Sequence, residues 1–129
     1  HSAHYYFRDN YRADSGLIAA MHVLERRCID DQPMSVLRQP FDRYADSGEI
    51  NTQVHDPAAG IDSIAEHFRT AVPTAGQDRL DGLTVDLGDW WFNLRPSNTE
   101  PLLRLNLEAR TRDECDDHTS ELLHLITKG

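Results

Sequence analysis

The chain has 129 residues, 39% of them hydrophobic, which is enough for one domain, or for a small domain and part of another, with a core of its own. Its formal charge is -9, from 22 acidic and 13 basic residues, and it has neither a Lys/Arg cluster nor an apolar run long enough to span a membrane. This composition predicts no nucleic-acid partner, no membrane partner and a cytoplasmic location.

The cysteines and histidines give no indication of a disulfide or a metal site. Cys28 and Cys115 are far apart in the sequence, and each falls on the apolar face of a predicted helix, so we expect both to be buried and unpaired. The seven His residues do not recur at the spacing of metal ligands. We therefore expect no metal site in this chain.

Residues 1–40 have the pattern of a strand, a helix and a short helix. Aromatic residues 5–7 favour extended backbone. An Asp-Ser-Gly sequence then provides an N-cap for a helix that should end near residue 29, and a short helix between two prolines follows from residue 34 to about 39. The first helix has apolar residues at the spacing of one buried face: Leu17, Ile18, Met21, Leu24 and Cys28.

Residues 41–48 have the composition of a linker, and we place a domain boundary there. Beyond it, residues 50–54 alternate apolar and polar side chains, as in a strand with one buried face. Asp56-Pro57 then gives an N-cap followed by proline at the first helical position. The buried face of that helix is predicted to be Ile61, Ile64, Ala65 and Phe68.

Three further strands and a final helix complete a second domain at residues 49–129. The strands are predicted at 83–87, 90–94 and 102–109, the first two joined by a Gly-Asp turn. Thr111 and Glu114 form a capping box at the start of the helix. The predicted fold class is α+β: a four-stranded, mainly antiparallel sheet with two helices on one face, preceded by the mainly helical remnant of another domain.

The segment between the last two strands has the features of an anion-binding loop. Its two prolines stiffen a connection in which Ser97 and Thr99 can donate hydroxyl hydrogen bonds, with Arg95 and Arg104 at the two strand ends. Together these groups match a tetrahedral dianion such as phosphate. Ordinary turn chemistry with solvated arginines explains the same residues, and spacing alone leaves both interpretations open.

The stretch R-P-S-N-T-E-P-L-L-R-L-N-L-E-A, residues 95–109, resembles the phosphate-binding loop in the last domain of the α-D-phosphohexomutases, most closely the bacterial phosphomannomutase/phosphoglucomutase branch. His1-Ser2-Ala3-His4 resembles the last four residues of the sugar-binding loop Gly-Glu-x-Ser-Gly/Ala-His in the third domain of that family. The resemblance covers essentially the whole chain. It implies the end of domain 3 at residues 1–40 and a TBP-like domain 4 at 49–129.

The resemblance also implies roles for individual residues. Arg95, Ser97, Asn98 and Thr99 would bind the non-reacting phosphate of a hexose phosphate, with help from Arg104. Ser2 and His4 would contact the sugar. The phosphoserine that transfers the phosphoryl group and the aspartate loop that holds magnesium belong to the first two domains, so no catalytic residue and no metal is assigned to this chain. Its partners would be the substrate and the other domains of the same enzyme.

Three other interpretations follow from the same residues. A phosphoglucosamine mutase fragment is the nearest alternative, although that branch usually has Gly where Asn98 stands. The chain could instead work alone as a sugar-phosphate binding module without catalysis. An acidic protein-interaction domain without ligand binding is the third.

Overall fold

The computed structural model describes residues 4–128 and divides the chain into two compact units, one ending at Asp42 and the other beginning at Arg43. The first unit contains β1 (Tyr6–Phe7), β2 (Ala13–Asp14), α1 (Gly16–Asp30), α2 (Met34–Arg38) and a 3₁₀ helix (Gln39–Phe41). The second contains β3 (Ala45–Asp46), β4 (Ile50–Gln53), α3 (Pro57–Ala71), β5 (Gly76–Asp78), β6 (Leu83–Asp86), β7 (Trp90–Pro96), β8 (Leu102–Ala109) and α4 (Arg112–Lys128).

In the first unit, a two-stranded antiparallel hairpin leads into α1. Ser15 caps that helix, its side-chain oxygen accepting a hydrogen bond from the backbone N–H of Ile18 at 3.2 Å. The predicted apolar face of α1 is wrong as a buried face: no residue of α1 is buried, and Cys28 is exposed. The periodicity is present, but no described residue of this unit buries that face, so its side chains stay in contact with solvent.

The second unit is a mainly antiparallel sheet with α3 and α4 packed on one face, which confirms the predicted α+β class. The sheet has six strands rather than the predicted four. Strand order is β3-β8-β7-β6-β5, and β4 also pairs with β8. The two strands that sequence reasoning missed, β3 and β5, have two and three residues, too few to show a period-2 pattern, and β3 lies inside the predicted linker.

The core lies between the sheet and the two helices. Strand β8 alternates throughout between half-buried and buried side chains, and its buried positions, Leu103, Leu105, Leu107 and Ala109, face the helices. The buried face of α3 is the predicted one, and Cys115 on α4 is buried as expected. Fifteen residues form this core: Ile61, Ile64, Ala65, Phe68, Leu83, Val85, Phe92, Leu94, Leu103, Leu105, Leu107, Ala109, Cys115, Leu122 and Ile126.

Both long helices of this unit begin where the sequence predicts. The Asp56 carboxylate accepts hydrogen bonds from the N–H groups of Ala58 and Ala59 at the start of α3. Thr111 and Glu114 bond reciprocally at the start of α4, at 3.1 and 3.3 Å. No helix within residues 4–128 is long and apolar enough to cross a membrane.

Candidate functional site

Arg95 and Arg104 lie directly opposite each other on the central strands β7 and β8. Their sequence neighbours Leu94, Leu103 and Leu105 are buried against the helices, so alternation places both arginines on the other face of the sheet. Each guanidinium-bearing side chain is about one third exposed, at 35%. Two guanidinium groups therefore lie side by side on the face of the sheet that is opposite to α3 and α4.

The loop that joins these strands is held at both ends by backbone hydrogen bonds. The N–H of Ser97 donates to the carbonyl of Leu102 at 2.9 Å, and the N–H of Val54 donates to the carbonyl of Pro101 at 3.1 Å. Within the loop, the Ser97 hydroxyl oxygen lies 3.4 Å from the N–H of Thr99 and 3.5 Å from its hydroxyl. The two hydroxyl groups therefore share one side of the loop.

The arginines and the loop line a cleft of about 410 Å³. The residues that line it are Leu80, Asp81, Gly82, Arg95, Pro96, Asn98, Thr99 and Arg104. Four of the five predicted phosphate-binding residues are in this list. The fifth, Ser97, does not line the cleft, but its hydroxyl oxygen lies 3.5 Å from that of Thr99, which does. Whether these residues bind phosphate stays a prediction.

Gly82 lets the turn before β6 approach this cleft closely. Its φ is +73°, a conformation that favours glycine, and a β-carbon there would lie 2.8 Å from Cα of Arg95 and closer still to the carbonyl oxygen of Leu94. Only a residue without a side chain fits this approach. It brings Asp81 to the cleft beside Arg95.

Two carboxylates contact the paired arginines. Glu49 Oε2 lies 3.1 Å from Nη2 of Arg95, and its Oε1 lies 3.4 Å from Nη1 of Arg104. Asp81 Oδ2 lies 3.7 Å from Nη1 of Arg95. The Nε atoms of both arginines are buried and have no hydrogen-bond partner among residues 4–128.

Sequence reasoning missed Glu49, Asp81 and Gly82. The Asp81-Gly82 pair was visible only as a turn signal, and Glu49 only as a polar position next to a strand. The strand register that brings them to Arg95 is a long-range property, and a single sequence does not contain it.

The two predicted sugar-binding residues, Ser2 and His4, belong to the first segment of the chain. Ser2 is outside the described residues. His4 hydrogen-bonds to the Asp14 carboxylate, Nδ1 to Oδ2, at 2.5 Å. That bond is the main reason that the pKa of Asp14 lies below its usual range. His4 is thus tied to its own hairpin, and its contact with a sugar stays a prediction.

Within residues 4–128, no group of three His, Cys, Asp or Glu side chains is placed to hold a metal ion. The side chains that line the cleft include two guanidinium groups, the Thr99 hydroxyl group, the Asn98 amide and the Asp81 carboxylate.

Residues 49–124 match the family "Phosphoglucomutase/phosphomannomutase, C-terminal domain". This chain belongs to that family. Its relatives include proteins named phosphomannomutase from Methanocaldococcus jannaschii, 39% identical over 98% of this chain, and from Escherichia coli K12, 43% identical over 84%. A protein named "Phosphohexose mutases" from Xanthomonas campestris is 41% identical over 84% of this chain.

The phosphoglucomutase/phosphomannomutase match covers more than half of the chain and contains the whole cleft, from Leu80 to Arg104, together with Glu49. The chain spans only 27% of the length of the M. jannaschii relative and 24% of the E. coli one. The match is to the C-terminal domain of this family, so the chain corresponds to that part of its longer relatives.

Proposed function

We propose that the cleft between Arg95, Arg104 and the loop binds the non-reacting phosphate of a hexose phosphate. The observation that carries this proposal is the convergence of two paired guanidinium groups and a hydroxyl-bearing loop on one cleft. Unpartnered Nε donors on both arginines support it, because a buried N–H without an acceptor costs free energy that a bound oxyanion would recover.

Such a site contributes orientation rather than bond-making. The free energy gained at a remote phosphate holds the other end of the sugar in line for transfer and helps to exclude water. In the parent enzyme this would support interconversion of hexose 6-phosphate and hexose 1-phosphate through a bisphosphorylated intermediate. Mannose phosphates are the first choice of substrate, because relatives from M. jannaschii and E. coli carry the name phosphomannomutase.

The remaining steps are assigned to other parts of the parent. The phosphoserine and a magnesium ion would lie outside this chain, the other domains would be its partners, and the enzyme would be cytoplasmic. The 129-residue chain alone would then be inactive and would bind hexose phosphates weakly, with Kd about millimolar or higher, since most cleft contacts are missing.

The test is an NMR titration of the ¹⁵N-labelled chain with glucose 1,6-bisphosphate. We expect the largest shifts at residues 95–104 and a Kd about tenfold higher or more for Arg95→Ala, because a guanidinium–phosphate hydrogen bond contributes about 1.5–3 kcal/mol. Arg110→Ala is the matched control, an exposed arginine whose guanidinium pairs with Asp89 instead. Shifts centred elsewhere, or equal effects of the two substitutions, would contradict the proposal.

The same titration separates the alternatives. A stand-alone binding module predicts micromolar affinity of the isolated chain, and an interaction domain predicts no shift at the loop. Substrate choice is tested in the full-length parent by comparing kcat/KM for the 6-phosphates of mannose, glucose and glucosamine. Preference for glucosamine 6-phosphate would favour the phosphoglucosamine mutase alternative.

A further inference from the structure

Glu49 contacts both arginines of the cleft but does not line the cleft itself. It is separated by 55 residues in sequence from Arg104 and by 46 from Arg95, so this contact exists only because the sheet brings three strands together. Its two carboxylate oxygens are divided between the two guanidinium groups, one to each. Asp81, by contrast, contacts Arg95 alone and lines the cleft.

The strand register shows from which side Glu49 approaches. Ile50 pairs with Leu105, and the pairing runs antiparallel from there to Gln53 opposite Leu102. Glu49 therefore lies beyond Leu105, toward the end of β8 that is distant from the loop. The backbone of Glu49 is thus on the side of the two arginines that is away from the loop, and its carboxylate reaches both guanidinium groups from there.

Two guanidinium groups directly opposite each other on neighbouring strands repel, and like charges at such positions destabilise a sheet. Without a counter-charge, the two long side chains would lower this repulsion by moving apart into solvent. A single carboxylate that bridges them removes the repulsion and reduces the rotamer freedom that a ligand would otherwise have to remove.

We infer that Glu49 is a positioning residue, which sets Arg95 and Arg104 in place for an incoming phosphate dianion. This inference rests on the proposed function of the cleft. Each guanidinium has five N–H donors, so the contacts with Glu49, and with Asp81 in the case of Arg95, still leave donors on both arginines for phosphate.

If Glu49 acted only through its negative charge, its removal would change the affinity for phosphate in the opposite direction. Removing a negative charge near an anion site should strengthen phosphate binding, because one repulsive charge is lost. Loss of a positioning contact should weaken phosphate binding instead. The direction of the change therefore distinguishes the two roles.

The experiment compares Glu49→Gln with Glu100→Gln in the ¹⁵N-labelled chain, titrated with inorganic phosphate. Glu100 is the matched control, because it lies in the loop and its carboxylate contacts neither arginine within the described residues. We expect Kd to rise about three- to tenfold for Glu49→Gln and to stay the same or fall up to about twofold for Glu100→Gln. Unchanged or tighter binding by Glu49→Gln overturns the inference.

A second measurement follows the arginines themselves. In the original chain, the Nε–Hε chemical shifts of Arg95 and Arg104 should differ from those of exposed arginines. In Glu49→Gln these chemical shifts should move toward the average of the exposed arginines. In Glu49→Asp they should return in part to their original values. Signals that do not change also overturn the inference. If Arg95→Ala weakens phosphate binding and Glu49→Gln does not, only the role of Glu49 is wrong; if the original chain binds no phosphate, the proposed function fails too.

Discussion

Single residues decide how tightly the cleft is built, and Gly82 is the clearest case. It combines a left-handed backbone conformation with a close approach to the backbone of Arg95. Gly88 has a similar conformation, with φ of +89°, but open space where a β-carbon would lie. Alanine substitutions at Gly82 and Gly88 therefore distinguish the cost of backbone strain from the cost of a steric clash.

We predict that Gly82→Ala lowers the free energy of unfolding by about 2 kcal/mol or more, through strain and overpacking together. Gly88→Ala should cost only about 1 kcal/mol, because it adds strain alone. Urea denaturation of the two variants measures both values. Equal losses of unfolding free energy in the two variants would show that the close approach of Gly82 to Arg95 adds no steric cost.

At the scale of elements, local signals predicted the helix starts and both central strands, although β7 extends to Pro96, two residues beyond its predicted end. Asp56 and Thr111 cap α3 and α4 as expected, because capping depends on residues within one turn. Strand β8 was predicted over its full length, since a strand with one buried face imposes a period of two on its sequence. These are features that a short window of sequence contains.

The features that were missed depend on distant segments. Strand β3 exists because Ala45 and Asp46 pair with the end of β8, more than 60 residues later. The apolar periodicity of α1 was read correctly as amphipathic, but burial requires a partner surface. In the same way, the loop of the site was predicted from its own residues, whereas Glu49 and Asp81 reach it only through the register of the sheet.

The capping box of α4 gives the prediction at this scale. Thr111→Ala should lower the free energy of unfolding by about 1 kcal/mol, because the N–H of Glu114 loses its side-chain acceptor. Ser120→Ala is the control on the same helix: its hydroxyl donates to the carbonyl of Asp116, a bond that contributes little to helix stability. Thermal unfolding compares the two. Similar losses of unfolding free energy in the two variants would mean that the capping box does not stabilise α4.

At the scale of the whole molecule, the core belongs to one unit. All the buried residues of the described chain lie between Ile61 and Ile126, in the unit that begins at Arg43. The candidate site is built on the two central strands of that unit, β7 and β8. The paired arginines are thus carried by the part of the chain with the most buried apolar surface, which suits a site that must keep two cations in fixed positions.

Local stability should therefore differ sharply between the units. Amide hydrogen exchange follows local opening, which is least favourable where strands are central and side chains are buried. We predict that amides of β7 and β8 exchange slowest and that those of α1 exchange much faster, since α1 has no buried residue. Equal protection of α1 and β8 would show that the first unit is stabilised by contacts other than apolar burial.

The same difference between the units should appear in the effects of substitutions. Leu105→Ala should cost about 2–5 kcal/mol of unfolding free energy, because Leu105 is buried. Leu24→Ala should cost far less, because that side chain is 56% exposed.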